Sequence, residues 1–366
     1  MNLDNSSSER IACLRFPLII GIVFIHGYAA TVDFSDRTQG MAESHWVSNL
    51  IRDIISQHLA RLAVPLFFLL SGYLFFWGWQ WSWHHYGKKL LSRFRSLCVP
   101  FLFWNSLTLA LLALAQSIPA LSSYFPEKGG LTSAYSMYDY LNALLGIERL
   151  PVAYQFWFIR DLLVMVLLVP LIQLFLKFFP RGALIVLFSL WFYPYCPWTI
   201  PCSTASFFFY AGALLAFLQK DIFSLDRFGR WIILIYSAVL IFDLFLLPKE
   251  IHGYIHRAGL VFGIASALYL TKFAMGQQNV RAFLLRAAAW SFFVFAFHEP
   301  LLTMTRKIVF YFLRPNSDVV VLTLYFLIPV FVVTVSVVVF SILKRTAPAF
   351  LRIIIGGRTT EHSQQC

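Results

Sequence analysis

The chain is dominated by apolar stretches of bilayer length, and these fix its solvent before anything else can be said of it. A helix rises about 1.5 Å per residue, so crossing about 30 Å of hydrocarbon takes about 20 mostly apolar residues. Such stretches lie near 11–30, 62–80, 97–116, 155–177, 182–196, 204–219, 231–248, 255–275, 288–305 and 319–343. In lipid every backbone N–H and C=O must be paired inside the protein, so these stretches are expected as helices. The fold expected is all-α, a polytopic membrane helical bundle with about ten transmembrane helices. Composition agrees: 59% of residues are hydrophobic and 13% charged, where a soluble domain carries about 25% charged residues.

Lys and Arg set the orientation, because they collect on the cytoplasmic side of a membrane protein. With the N-terminus inside, most of the 29 Lys and Arg fall on the inner side and most of the 17 Asp and Glu on the outer side. Both termini are then cytoplasmic. This bias accounts for the net charge of +12, and no basic run with interleaved aromatics points to nucleic acid. The apolar run 11–30 carries Arg15 and His26 and shows no small-residue cleavage site, so it reads as a retained first span. Residues 1–10 are expected as a cytoplasmic segment, 11–345 as one membrane domain and 346–366 as a cytoplasmic tail.

Between the third and fourth spans, Leu141, Leu144, Leu145 and Ile147 recur at helical spacing within 137–150. They predict a short amphipathic helix on the outer surface, either packing at the interface or lying over a site. Cys196 and Cys202 share one short outer loop and would be free to pair in an oxidising compartment. No zinc-type ligand spacing appears, and no metal or bound cofactor is expected.

Charges at bilayer depth are costly and tend to face a cavity or one another. Here they are Arg15, His26, Arg160, Asp161, Asp243, His298 and Glu299. Arg15 and His26 are eleven residues apart, which on a helix is about 16 Å of rise and only about 20° of rotation. They share one stripe, with a cation near the inner face and an imidazole in the outer half. Arg15 alone reads as a snorkelling cation and His26 alone as an interhelical hydrogen bond. Together they suit a ligand that is anionic at its cytoplasmic end and reactive at its far end, as an acyl-coenzyme A is. Arg160 and Asp161 are neighbours and are expected to point apart toward separate partners. His298 precedes Glu299-Pro300, where proline interrupts the helix. His26, Arg160, Asp161, His298 and Glu299 are thus expected near one outer level. Ser71 and Gly72 read as close helix packing, Trp157 as part of the interfacial aromatic belt, and Asp243 has no evident partner.

Four stretches, in order, resemble the acyltransferase-3 family of integral membrane O-acyltransferases. They are Arg15 with His26, Val64–Tyr73, Phe156–Asp161 and Phe295–Pro300. The resemblance covers roughly residues 10–345. It implies transfer of an acyl group, usually acetyl, from cytoplasmic acyl-CoA to a hydroxyl of a surface or lipid-linked glycan, in a bacterial inner membrane. It implies that Arg15 and His26 are essential to transfer. The family's R-x-x-R motif in an inner loop is matched only by Arg93-Phe94-Arg95, preceded by Lys88 and Lys89.

The reading is an enzyme in which His26 acts as base, or accepts the acyl group, with Asp161 or Glu299 orienting an imidazole and His298 as a further catalytic candidate. Arg15, Lys88, Lys89, Arg93 and Arg95 hold the donor phosphates, and Ser71, Trp157 and Arg160 are candidates to contact substrate. The alternative is a proton-coupled exporter of a glycan or lipid-like substrate, built from the same buried ionisable residues.

Overall fold

The structure, a computed structural model, describes residues 3–34, 37–41, 45–118, 131–193, 198–245 and 249–357. Helix α1 (Asn5–His26) is followed by a small hairpin, β1 (Thr31–Asp33) and β2 (Thr38–Gly40), paired antiparallel with Thr31 opposite Gly40. Among the described residues this hairpin is the one sheet, and helices make up nearly everything else.

Two long helices begin earlier than the hydropathy pattern predicts. Helix α2 runs from Trp46 to Phe76 and α3 from Trp83 to Ser117. The polar first turns of α2 hide it from a hydropathy reading, but their charges have partners. Arg52 donates to the Tyr28 carbonyl at 3.0 Å, and the Tyr28 hydroxyl donates to Asp53 at 2.6 Å. The chain passes through a π-helical stretch, Asp53–Leu59, and a 3-10 turn, Ala60–Leu62, before Pro65. In α3 a π-helical turn, Phe94–Cys98, likewise precedes Pro100. Proline removes an N–H and crowds the carbonyl four residues back, and in α3 the widened turn includes that residue, Ser96, and accommodates both. Lys88, Lys89, Arg93 and Arg95 therefore lie on a continuous helix rather than in an inner loop.

The amphipathic helix is present as α4 (Met137–Leu145), shorter than the expected 137–150. Ser136 and Asp139 form a reciprocal capping box at its start. It stops at Gly146, whose φ of 71° is left-handed. Met137, Leu141 and Leu145 remain exposed on it.

The remaining helices are α5 (Tyr154–Leu167), α6 (Val169–Phe178), α7 (Pro180–Phe192), α8 (Ser203–Phe217), α9 (Ser224–Phe245), α10 (Ile251–Gly276), α11 (Gln278–Ala287), α12 (Ser291–Leu313), α13 (Asp318–Thr346) and α14 (Pro348–Ile354). Five of the described helices are long and apolar enough to cross a membrane: α2, α3, α9, α10 and α13. Counting the bent pairs α5–α6 (59°) and α11–α12 (62°) as single spans makes seven. The count of about ten is not reached among the described residues. Helices α7 and α8 have 13 and 15 residues, about 20 Å each against about 30 Å of hydrocarbon.

Helix α1 is held at its start by specific polar contacts. Arg10 pairs with Asp226 at 2.8 Å, lies 3.6 Å from the Phe223 ring centroid, and donates to Thr271 and the Leu268 carbonyl. Arg10, the last residue of the expected N-terminal segment, is thus docked on α9 and α10. The tail also returns to the bundle, because α14 buries Leu351 and Ile354 and its Ile354 carbonyl accepts from the Trp104 indole at 3.0 Å.

The tightest crossing is α2 on α8. A Cβ on Gly72 would sit 2.0 Å from the Phe209 carbonyl oxygen, and one on Gly212 would sit 1.9 Å from that of Leu69. The two backbones touch, so these glycines are obligatory there. The packing reading of Ser71-Gly72 therefore holds for Gly72.

Candidate functional site

His26 is the last residue of α1, and its ring has no hydrogen-bond partner among the described residues. The edge of its ring meets Tyr154, with centroids 4.9 Å apart and planes at 73°. The ring of His298 lies 5.3 Å away at 31°. Two histidines from opposite ends of the chain are thus neighbours, as the topology predicted. Arg61 of α2 lies within electrostatic reach of His26.

Helix α12 positions His298 and Glu299 through a break at Glu299. That residue has extended backbone (φ −107°, ψ 136°) and acts as the N-cap of the segment that restarts at Pro300. Proline is tolerated there because the N–H it lacks would be unpaired anyway. The Glu299 carboxylate accepts from the Thr303 amide at 3.3 Å and from the Tyr154 hydroxyl at 3.0 Å. The Ala296 carbonyl, left without its helical donor by Pro300, faces the Gln155 amide at 3.4 Å. Arg306, two turns on, lies near Glu299 and Tyr154 and donates to the carbonyls of Ala29 and Thr31 at 3.0 and 2.9 Å. It ties the kinked helix to the chain just after His26.

The tautomer of His298 is set by its surroundings. Its Nδ1 lies 2.7 Å from the Phe295 carbonyl and 3.3 Å from that of Val294. Carbonyls only accept, so Nδ1 carries the proton and Nε2 presents a lone pair. That Nε2 has no partner among the described residues, and His298 is 0% exposed. A buried acceptor left unpaired costs about 1–3 kcal/mol. The site therefore holds a partly exposed imidazole, His26, beside a buried one with a free lone pair. Glu299 does not orient either ring, since its oxygens go to Tyr154 and Thr303.

Asp161 is placed elsewhere. Its Oδ1 takes two bonds from the Arg160 guanidinium, both at 2.9 Å, and its Oδ2 accepts the Cys202 amide at 2.7 Å. Arg160 also donates to the Gly146 carbonyl. The expectation that these neighbours point apart is wrong: the long guanidinium folds back over the adjacent carboxylate. The pair joins the end of α4, the start of α5 and the start of α8, with Asp161 0% exposed. Whether Cys202 pairs with Cys196 turns on a residue that lies outside the described ones. Trp157 packs its ring near Phe68, with centroids 6.4 Å apart. Ser71 is half-buried on α2, with no side-chain hydrogen bond among the described residues.

Midway along α1, about three turns before His26, Arg15 is exposed and has no partner among the described residues. It lies close enough to Arg93 of α3 for their charges to repel. Lys88 and Arg95 are exposed on the same helix as Arg93. Lys89 is engaged differently, donating to the Phe75 carbonyl with its ammonium 4.4 Å from the Trp79 ring centroid. A guanidinium presents a planar fork of donors that matches carboxylate and phosphate geometry.

Sequence reasoning passed over Tyr154, Gln155, Arg61 and Arg306. Tyr154 and Gln155 directly precede the Phe156–Asp161 stretch. Arg306 lies two helical turns beyond Glu299 on one face. Asp243, left without a partner, is surrounded by His58, His252 and His256.

The profile of the family described as "Acyltransferase domain" matches residues 9–343. A curated protein of Rhizobium meliloti (strain 1021), "Succinoglycan biosynthesis protein ExoH", is 25% identical over 368 residues, covering 98% of this chain and 94% of its own length. No solved structure matches the chain. With the four ordered motifs, the helical membrane fold and a family match over nearly its whole length, the chain belongs to the acyltransferase-3 family and is an integral membrane acyltransferase.

Proposed function

We propose that the protein moves an acyl group, with acetyl the first candidate, from cytoplasmic acyl-CoA to a hydroxyl of a polysaccharide or lipid-linked glycan. The observation that carries this reading is the pair of imidazoles, one reachable and one buried with a free lone pair, standing about 16 Å along α1 from an unpaired arginine cluster. The polysaccharide acceptor is supported by the printed name of the Rhizobium relative. The coenzyme A donor is supported by Arg15, Arg93, Arg95 and Lys88, cations with no ion-pair partner among the described residues. The cytoplasmic location of both termini rests on the distribution of Lys and Arg, an inner bacterial membrane rests on the family resemblance alone, and residues 11–345 form the transferring unit.

In the reaction, His26 takes the proton of the acceptor hydroxyl as its oxygen attacks the thioester carbonyl. The C–O bond forms, the C–S bond breaks, and the proton passes to the departing thiolate. Once protonated, His26 has two N–H donors, and His298 Nε2 is an acceptor one ring away. Base catalysis of this kind is worth about 10²–10⁴ in rate. Glu299 and Tyr154 act as positioning residues, holding the kink of α12 against the edge of His26.

The test uses purified protein in nanodiscs with radiolabelled acetyl-CoA and a crude surface-glycan extract, beside His26→Ala and Arg15→Ala. Label in glycan with the wild type alone supports the reading. Substrate flux with no thioester loss from any acyl-CoA would transfer the assignment to the exporter.

A further inference from the structure

A second cluster of imidazoles and a carboxylate stands apart from the His26 pair. His58 comes from the π-helical stretch of α2, Asp243 from the end of α9, and His252 and His256 from successive turns of α10. His58 Nε2 and His256 Nδ1 lie 2.9 and 3.1 Å from Asp243 Oδ2, and His252 Nδ1 lies 3.0 Å from Oδ1. The donor atoms of His58, Asp243 and His256 are all within 4.8 Å of one another. Donors around a tetrahedral zinc, at about 2.0–2.2 Å from it, lie roughly 3.3 Å apart. The two separations from Asp243, 2.9 and 3.1 Å, are close to that.

The decisive detail is the tautomer of His58. Its Nδ1 lies 3.0 Å from the Asp53 carbonyl, which only accepts, so Nδ1 is the protonated nitrogen. A neutral His58 then aims a lone pair at a carboxylate oxygen 2.9 Å away, acceptor against acceptor, at a place where His58 is 8% and Asp243 6% exposed. Either a further proton or a metal ion must lie between them. Ligating histidines characteristically give their other N–H to a backbone carbonyl, as His58 does. The Tyr236 hydroxyl, buried and unpartnered among the described residues, lies on the same small cavity. Two histidines four apart on one helix face complete a common ligand pair.

We propose that His58, Asp243 and His256, with His252 at the open side, bind a first-row divalent ion of borderline softness, zinc first. The ion clamps the α9–α10 pair to α2. Imidazole and carboxylate donors suit zinc better than calcium or magnesium, which take oxygen ligands. His252, half exposed, leaves a route for the ion to enter. This site is independent of the transfer chemistry.

The experiment strips full-length protein in detergent with a chelator, then adds zinc or cobalt(II). Metal content, the visible spectrum of the cobalt form and the unfolding temperature are followed. The expected result is about one ion per chain, tetrahedral cobalt bands, and an unfolding temperature that falls with chelator and returns with zinc. His256→Ala and His252→Ala should weaken binding by roughly tenfold or more. Absent bands, no retained ion and an unfolding temperature indifferent to zinc and chelator overturn the proposal. The cluster is then an ion pair in which His58 carries two protons. Because His58→Ala risks misfolding, the cobalt spectrum of the wild type decides.

Discussion

Two histidine–carboxylate clusters occupy this bundle, and they are wired in opposite ways. Around His26 and His298 the carboxylate of Glu299 is turned away, spent on a tyrosine hydroxyl and a helix N-terminus, while His298 keeps a lone pair with no partner among the described residues. Around Asp243 the carboxylate is the centre, and three imidazoles converge on it. The same residue types thus serve different ends. Where the lone pair is left free, chemistry on a substrate proton is possible. Where every imidazole faces one carboxylate, the helices are held together. Residue type alone does not distinguish these uses, because the difference lies in which atoms face each other.

That contrast can be broken most sharply at His26. His26→Ala should lower transfer by about 10²–10⁴ while leaving the unfolding temperature near that of the wild type. Label transfer measured beside a thermal melt reads both quantities. Asp243→Ala should do the reverse, costing about 3–5 kcal/mol of stability because it strips a buried cluster of its counter-charge. Chemical denaturation in detergent measures that loss. If Asp243→Ala proved neutral to stability and His26→Ala lethal to folding, the two roles would have to be exchanged.

Arg15→Gln addresses a different part of α1. It should raise the KM for acyl-CoA by roughly 10–100-fold and change kcat less, since a charge-assisted hydrogen bond is worth about 1.5–3 kcal/mol. Steady-state kinetics with the donor varied would reveal it, and an unchanged KM would remove Arg15 from the donor site. Tyr154→Phe should have the smallest effect, about 1 kcal/mol or roughly fivefold in kcat, by releasing Glu299 and loosening the kink beside His26. A loss as large as that of His26→Ala would instead make Tyr154 a group that touches the reacting atoms.

Much of this protein is legible in its sequence. The all-α membrane fold is dictated by apolar length, because lipid leaves the backbone no other partner than itself. The meeting of His26 with the His298 stretch is expected from depth alone. Arg15 and His26 share a stripe because an α-helix nearly repeats its direction after about eleven residues. What hydropathy cannot see are helices whose polar turns are satisfied by distant partners. The first turns of α2 read as a loop because Arg52, Asp53, His58 and Arg61 are charged or polar. Tyr28 and Asp243 are the distant partners of Arg52, Asp53 and His58, while Arg61 is held by Gln57 of its own helix.

The sequence by itself determined the solvent, the helical class, the family motifs and the axial order of Arg15 and His26. Tertiary structure decided which buried charges pair. It folded Arg160 back on Asp161, brought Tyr154 and Arg306 to Glu299, and closed three histidines around Asp243. The physical reason is range. Helical periodicity and hydrophobicity act along a few turns of chain, whereas a hydrogen bond is settled within about 3 Å by residues that the fold gathers from anywhere.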